Sequence, residues 1–387
     1  MSFSQALSGL NAASNNLKVM GNNIANSQTV GFKSSSMQFA DVYANSKVGL
    51  GTRVSAVLQS FTAGNLESTN RSMDLAISGD GFLRFNQSGQ VVYSRNGQLN
   101  LTPEGYLVNG QGARLMGENG ILQVPAEGMT SSATTQVEGS FNLDARTAVP
   151  AARPAFSPTD ASSYDYANTA TVFDSLGNPH TMTTYFIKTA EAATGSTWTV
   201  RAAVDGTLSP QTQAASFNTS GVLAGYAASA FTYSPGRGAA DMSITLDLTG
   251  TTQFGNESSV ATLNQNGYTA GSLVGFTIDK SGSIIGNYSN EQKQTIGVIQ
   301  LASFRNPEGL MPVGNNAWAE TTASGQPLVG QAGTGQYGSI ESGVVETSNV
   351  DLTRELVNLI IAQRTFQANA QTIKTQDEVL QQAVNLR

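Results

Sequence analysis

From Val350 to Arg387 the chain contains neither glycine nor proline, and no other stretch limits its possible folds as sharply. A continuous helix there would run about 57 Å at about 1.5 Å per residue. The usual globular helix has about 11–12 residues. So long a helix needs partners beyond one small core. Its apolar residues recur every seven positions, at Leu352, Leu359, Phe366, Ile373 and Leu380, with Leu356, Ala370 and Val384 in the alternate seam. The N-terminus carries the same period at Phe3, Leu10, Leu17 and Ile24, with Leu7 alternating. A narrow stripe of this period marks a coiled-coil type of contact rather than a wide core-facing one. Ser348-Asn349-Val350-Asp351 matches a capping box, which would place Ser348 and Asp351 on the first free N–H groups of the C-terminal helix. Both seams are broken, by Ser14 and Gly21 in the first and by Gln363 and Asp377 in the second. A two-stranded zipper tolerates one such break but not a series. An isolated terminal helix is therefore marginal, and neighbouring copies are expected to complete it.

Between the ends the sequence reads as β-structure. Ala76–Phe85 is a strand signal with a glycine-rich bend, and Val91–Arg95 and Gln98–Leu101 flank Asn96-Gly97, the strongest short hairpin signal. Pro103-Glu104-Gly105 turns the chain into Tyr106–Val108, and further strands are expected at 169–174, 181–188, 198–204, 275–279, 283–288 and 297–304. Without alternation of strands and helices, a parallel α/β sheet is not expected. The expected class is α+β: long terminal helices pairing the N- and C-termini, with two mainly antiparallel β domains, one inserted in the other. Pro150, Pro154 and Pro158 mark one boundary and the stretch before Asn266-Gly267 the other. The expected division is 1–26 and 355–387 for a terminal helical domain, 27–72 and 325–354 for connecting segments, 73–145 and 263–324 for one β domain, and 146–262 for a β domain inserted in it.

Composition narrows the chemistry. A net charge of −7 with 12% charged residues leaves no basic footprint for nucleic acid and no basic run for anionic lipid. No apolar stretch approaches the ~18 residues of a membrane span, and no N-terminal secretion signal is visible. The absence of cysteine removes disulfides and thiolate chemistry. Gly333–Gly338 spells G-x-G-x-x-G but neither ends a strand nor opens a helix, so it reads as a connection. His180 is the single histidine and follows Asn178-Pro179, which suggests an exposed turn. Asp74, Asp80 and Glu104 have no spacing that favours a carboxylate pair and read as solvated turn acids. No catalytic, cofactor-binding or metal-binding residue is expected.

The stretch Asn22-Asn23-Ile24-Ala25-Asn26-Ser27-Gln28-Thr29-Val30-Gly31-Phe32-Lys33 resembles the N-terminal signature of the flagellar rod and hook family of axial proteins. Ser348-Asn349-Val350-Asp351, followed by Leu356–Arg364, resembles that family's C-terminal signature. Met1–Gly9, Val48–Gly51, Tyr93–Gly97, Asn264–Tyr268, Gly286–Gln292 and Val384–Arg387 are similar to the hook branch. The resemblance implies a structural subunit that self-assembles into a flexible helical tube, couples rod to filament and transmits torque as a universal joint. The terminal helices, 1–26 and 355–387, would be the polymerisation domain lining the tube, and the β domains would face outward, with 73–145 and 263–324 the inner one and 146–262 the outer inserted one. Implied partners are other copies of the chain, the distal rod protein, the hook cap, the hook–filament junction protein and the flagellar type III export apparatus, with no nucleic acid and no membrane insertion. The implied location is extracellular, on the flagellum, attached to the basal body. Competing expectations are a distal rod or hook-junction subunit, and a secreted β-rich adhesin whose terminal helices would be dispensable.

The stripe makes a direct prediction. Leu359→Asp puts an uncompensated carboxylate on it in every subunit. Sedimentation should show loss of polymer while circular dichroism of the β core is unchanged, and Thr365→Asp should assemble far better. Equal assembly of Leu359→Asp and the unaltered protein would remove the stripe from the assembly surface.

Overall fold

The computed structural model describes residues 3–43, 49–125 and 127–385. Met1, Ser2, Val48, Leu386 and Arg387 of the motifs above lie outside the described residues, as does the side chain of Val384. Helix α1 spans Phe3–Ala25 and helix α2 spans Leu352–Asn385. Asp351 caps α2 by accepting from the Arg354 N–H at 3.0 Å, whereas Ser348 accepts from the Val350 N–H at 3.3 Å, before the helix begins. The expected reciprocal box is thus replaced by Asp351 acting alone as the N-cap.

The two helices pack against each other, and the antiparallel ribbon of β1 (Ser35–Val42) and β2 (Gly51–Gln59) packs along α1. Small residues make these contacts. Ala6, Ala12 and Ala13 of α1 and Ala362 of α2 are buried. A Cβ on Gly9 would come within 2.9 Å of the Asn369 amide nitrogen, so this glycine serves a close helix approach. The main stripe, Leu10, Leu17 and Ile24 on α1 and Leu359, Phe366 and Ile373 on α2, shares the helix face of these buried alanines. Phe3, Leu7, Leu352, Leu356 and Leu380 are exposed, while Leu10, Leu17, Ile24, Leu359, Phe366 and Ile373 are half-buried. On α2 the alternate seam is Glu355, Ala362, Asn369 and Gln376, which are half-buried or buried, instead of the expected Leu356 series. Alanines between the stripe residues let the backbones approach, while the larger side chains of the stripe are only partly covered and its end residues stay outside.

The chain divides into two compact units, the first comprising 1–126, 276–286 and 294–387, the second comprising Glu127–Gly275 and Asn287–Lys293. The first unit is centred on a ten-stranded sheet whose core gathers Phe82, Tyr93, Phe304, Leu310 and Trp318, with Phe61 edge-on to Phe82 and Trp318 at 5.4 Å. The hairpin expected at Asn96-Gly97 does not form. Strand Gln90–Ser94 pairs with Phe82–Gln87, and Gly97-Gln98 crosses to a different sheet to pair with Asp74–Ser78. A Cβ on Gly97 would sit 2.0 Å from the Leu75 carbonyl oxygen, so this glycine permits backbone approach rather than a turn.

The second unit contains two five-stranded sheets. One is a meander of Tyr166–Phe173, Pro179–Ala192, Gly195–Val204, Thr207–Asn218 and Leu223–Tyr226. The other centres on Gln136–Asp144, which pairs in parallel with Met242–Asp247 and Thr252–Phe254 and antiparallel with Ser259–Gln265. Alternation of buried and half-buried residues along Gly195–Val204 sends Trp198, Val200 and Ala202 inward. There they share one buried cluster with Phe141, Phe186 and Ile244. The boundary expected at residue 146 therefore moves, because Val137, Phe141 and Leu143 already belong to this core. Entry and exit lie side by side: the Asn266 side-chain oxygen accepts from the Thr135 and Gln136 N–H groups, both at 3.0 Å.

Each unit holds one tryptophan, Trp318 in the first and Trp198 in the second. Phe186→Ala should cost roughly 3–5 kcal/mol in the unfolding transition reported by Trp198 fluorescence in a Trp318→Phe background. An unmoved transition would show that Phe186 does not organise this core.

Candidate functional site

The two signatures, far apart in sequence, meet in the first unit. At Asn26 the backbone still bonds to the Asn22 carbonyl at 3.0 Å, and the Asn26 amide adds bonds to the Asn22 carbonyl and side chain at 3.0 and 2.6 Å. Asn22 and Ala25 are otherwise exposed, so this pair acts locally to end α1. Asn23 is buried and binds Ser35 twice, accepting from its N–H at 3.0 Å and donating to its carbonyl at 2.8 Å. It imitates a strand and ties the helix end to the start of β1.

Gly31 then turns the chain with φ +71°, and a Cβ there would lie 2.7 Å from the Asn96 nitrogen. Only glycine fits both demands. Its N–H donates to the Glu346 carbonyl at 2.8 Å. Phe32 is half-buried, and Lys33, next in sequence, is fully enclosed. Its Nζ donates to Glu346 Oε1 at 2.6 Å and to the Thr62 carbonyl at 2.7 Å. The other carboxylate oxygen, Glu346 Oε2, takes Arg95 at 3.3 Å, and Oε1 also accepts from the Gly64 N–H at 2.8 Å. Arg95 lies 5.4 Å from the Phe82 ring centre. Burial pulls Lys33 and Arg95 below their usual pKa ranges, against the attraction of Glu346.

The C-terminal signature completes this clasp. Asn349 accepts from the Ser34 N–H at 2.7 Å and donates to the Ser60 and Thr62 carbonyls at 2.9 and 3.2 Å. Val350 is half-buried beside it, and Ser348 and Asp351 shape the entry to α2. Asn23, Gly31, Lys33 and Asn349 thus converge, whereas Asn22, Ala25 and Asn26 act within their own turn. Sequence reasoning missed Glu346 and gave Arg95 no role. The available signals were a lysine directly after an apolar anchor and a glutamate closing the apolar run Val344-Val345.

Elsewhere, Asp74 is not the solvated acid expected: it is buried 3.5 Å from Arg71. His180 is not in an exposed turn but half-buried near the start of strand Pro179–Ala192. Gly333–Gly338 connects strands Leu328–Gln331 and Ser339–Ser342. Among the described residues, no group of three or more His, Asp or Glu side chains is placed to hold a metal ion. None of the described helices is long and apolar enough to cross a membrane.

Comparison with known proteins gives matches along most of the chain. The family described as "Flagella basal body rod protein" matches residues 4–33, ending at Lys33, and "Flagellar basal body rod FlgEFG protein C-terminal" matches 341–386. "Flagellar hook protein FlgE/F/G D1 domain" matches 76–143 and "Flagellar basal body protein FlaE D2 domain" matches 142–268. The flagellar hook protein FlgE of Salmonella typhimurium is 45% identical, with 100% of both chains covered. That of Escherichia coli is 44% identical with the same coverage, and that of Borreliella burgdorferi is 30% identical over 100% of this chain and 99% of its own. The crystal structure of Helicobacter pylori flagellar hook protein FlgE2 superposes with a TM-score of 0.56 at 13% identity, covering 73% of this chain and 100% of that one, a likeness of fold.

Removing the shared anion of the clasp should be far worse than removing one cation. Glu346→Gln leaves Lys33 and Arg95 buried without their carboxylate and should cost about 3–5 kcal/mol in urea unfolding. Lys33→Met leaves the Arg95–Glu346 pair in place and should cost clearly less. Equal losses would mean that Glu346 is not the anchor.

Proposed function

The chain belongs to the flagellar hook protein family and is a structural subunit of the hook, and from that premise we propose that the outward faces of α1 and α2 are the surfaces through which copies join. One observation carries this: the helices hide alanines and display large apolar side chains. Leu352, Leu356, Val357, Ile360 and Ile361 follow one another along one side of α2, with Ile361 57% exposed, and Phe3 and Leu7 are uncovered on α1. Burying such area yields about 25 cal/mol per Å², and a contiguous apolar stripe left in water marks an interaction surface. The half-buried Leu10, Leu17, Ile24, Leu359, Phe366 and Ile373 lie on the face of the buried alanines, and neighbouring copies would complete their cover.

In this reading the hook is a flexible helical tube that couples rod to filament and transmits torque. The terminal helices (1–26 and 355–387) polymerise, and the connecting segments (27–72 and 325–354) carry the clasp that aims them. The inner β domain supports them, and the inserted domain faces outward, where contacts between neighbours set curvature. The chain acts by packing rather than by catalysis. It is exported by the flagellar type III apparatus and stands outside the cell, meeting the distal rod protein at one end, the hook–filament junction protein at the other, and the hook cap during growth. Full-length similarity to hook proteins weighs against a rod or junction subunit. An adhesin offers no account of the clasp.

The division of labour is tested by excision. Cutting at 146 and 262 would leave Phe141 and Leu143 without their core, so the replacement by a short Gly/Ser linker should span residues 136–265, whose flanks already touch at Thr135 and Asn266. The product should be exported and polymerise into a straighter, thinner tube with poor motility. Electron microscopy showing curved hooks of normal thickness, or no polymer, would show that assembly and curvature are not divided in this way.

A further inference from the structure

His180 stands between two carboxylates of the second unit. Its Nδ1 lies 2.6 Å from Asp205 Oδ2 and its Nε2 lies 3.3 Å from Asp174 Oδ2, with the ring largely shielded from water. Neither carboxylate is free to turn away. Asp174 accepts from the Leu176 and Asn178 N–H groups at 2.9 and 2.8 Å and from the Asn178 amide at 2.9 Å. Asp205, at the turn between strands Gly195–Val204 and Thr207–Asn218, accepts from the Thr181 N–H at 2.9 Å. Tyr233 completes the surroundings from strand Ala230–Tyr233. Its ring stands edge-on to the imidazole at 5.7 Å, and its hydroxyl donates to Asp205 Oδ2 at 3.4 Å.

A neutral imidazole carries one N–H and one lone pair. Either tautomer would aim that lone pair at a carboxylate. Only the imidazolium donates on both sides. We propose that His180 is a proton-operated staple, which in its charged form fastens the Asp174 loop and the Asp205 turn to one strand, and which lets go of one of them when the proton leaves.

Electrostatics agree with the geometry. Burial opposes the charge on His180, but Asp205 and Asp174 outweigh it and raise the imidazole above its ordinary value. Burial likewise opposes ionisation of Asp174, but hydrogen bonds from Asn178, His180 and Leu176 bring it to about 2, and Asp205 is lowered too. Because the His180 pKa is raised in the folded state, its contribution is complete below the unfolded value of about 6.5 and disappears as pH rises through the folded value. The carboxylates contribute above their unfolded values of about 3.9 and fail as pH falls through their lowered ones. Together they make this unit firmest in mildly acid surroundings.

The test is a titration of the single imidazole in the full chain by 15N and 13C NMR. Two protonated ring nitrogens at pH 7, titrating above about 6.5, are expected. Asp205→Asn should lower that midpoint. His180→Gln should abolish the alkaline decline of the Trp198-reported unfolding midpoint, and should that variant not fold, the Asp205→Asn titration decides alone. A neutral single tautomer at pH 7, or a midpoint that Asp205→Asn leaves unmoved, would overturn the proposal.

Discussion

A carboxylate shut away from water must be given partners, and much of the first unit is arranged around supplying them to Glu346. Lys33 comes from the turn after α1, Arg95 from the end of a sheet strand, and Gly64 from the connecting segment. Separately, each would be an expensive buried charge or an unfilled donor. Together they fix three stretches of chain at one point. Such a cluster adds little net stability over a well-packed apolar one. What it adds is intolerance of error: a shift of one residue in the strand Val344–Glu346 would withdraw the carboxylate and leave two cations in the core. Gly31 and Asn349 serve the same end, one by turning the chain where no side chain fits, the other by joining Ser34 to Ser60 and Thr62.

That rigid point is what gives the loosely covered helices a direction. α1 leaves it through Asn23 and α2 through Asp351, both held by side-chain bonds to backbone groups. Beyond them alanine and glycine bring the helices close, and the larger apolar side chains on that face stay only half-buried. The subunit is therefore well determined where its ends are anchored and incompletely buried along their length. For a polymer this is a consistent arrangement, because what the monomer leaves uncovered is what its neighbours can bury.

The outline was legible in the sequence. The absence of Gly and Pro after Val350 and the seven-residue period fixed two terminal helices, and alternating strands with turn residues fixed the β character between them. What misled was reading one residue's usual preference as its role. Asn96-Gly97 is a strong turn pair, yet Gly97 is needed for a close pass against Leu75. The main apolar stripe shares the buried helix face, but the positions alternating with it are Ala6, Ala13 and Ala362 rather than Leu7 and Leu356, since periodicity reports which positions share a face and not how closely two helices approach. The roles of Glu346 and His180 were hidden for a different reason. Their partners lie on other elements, Lys33 and Arg95 for one, Asp174 and Asp205 for the other, and no local pattern announces a pairing that only the folded chain creates.

Lys33 and Glu346 are 313 residues apart. Closing so long a loop is slow compared with local pairing, because its entropy must be spent before the contact forms. A chain that emerges N-terminus first therefore holds its lysine in waiting while about four-fifths of the sequence follows. Any copy cut short before the Val344–Glu346 strand has no counter-ion to offer Lys33 and Arg95. The clasp in this way works as a check on completeness: a subunit acquires a fixed base for its helices only after its last strand has arrived.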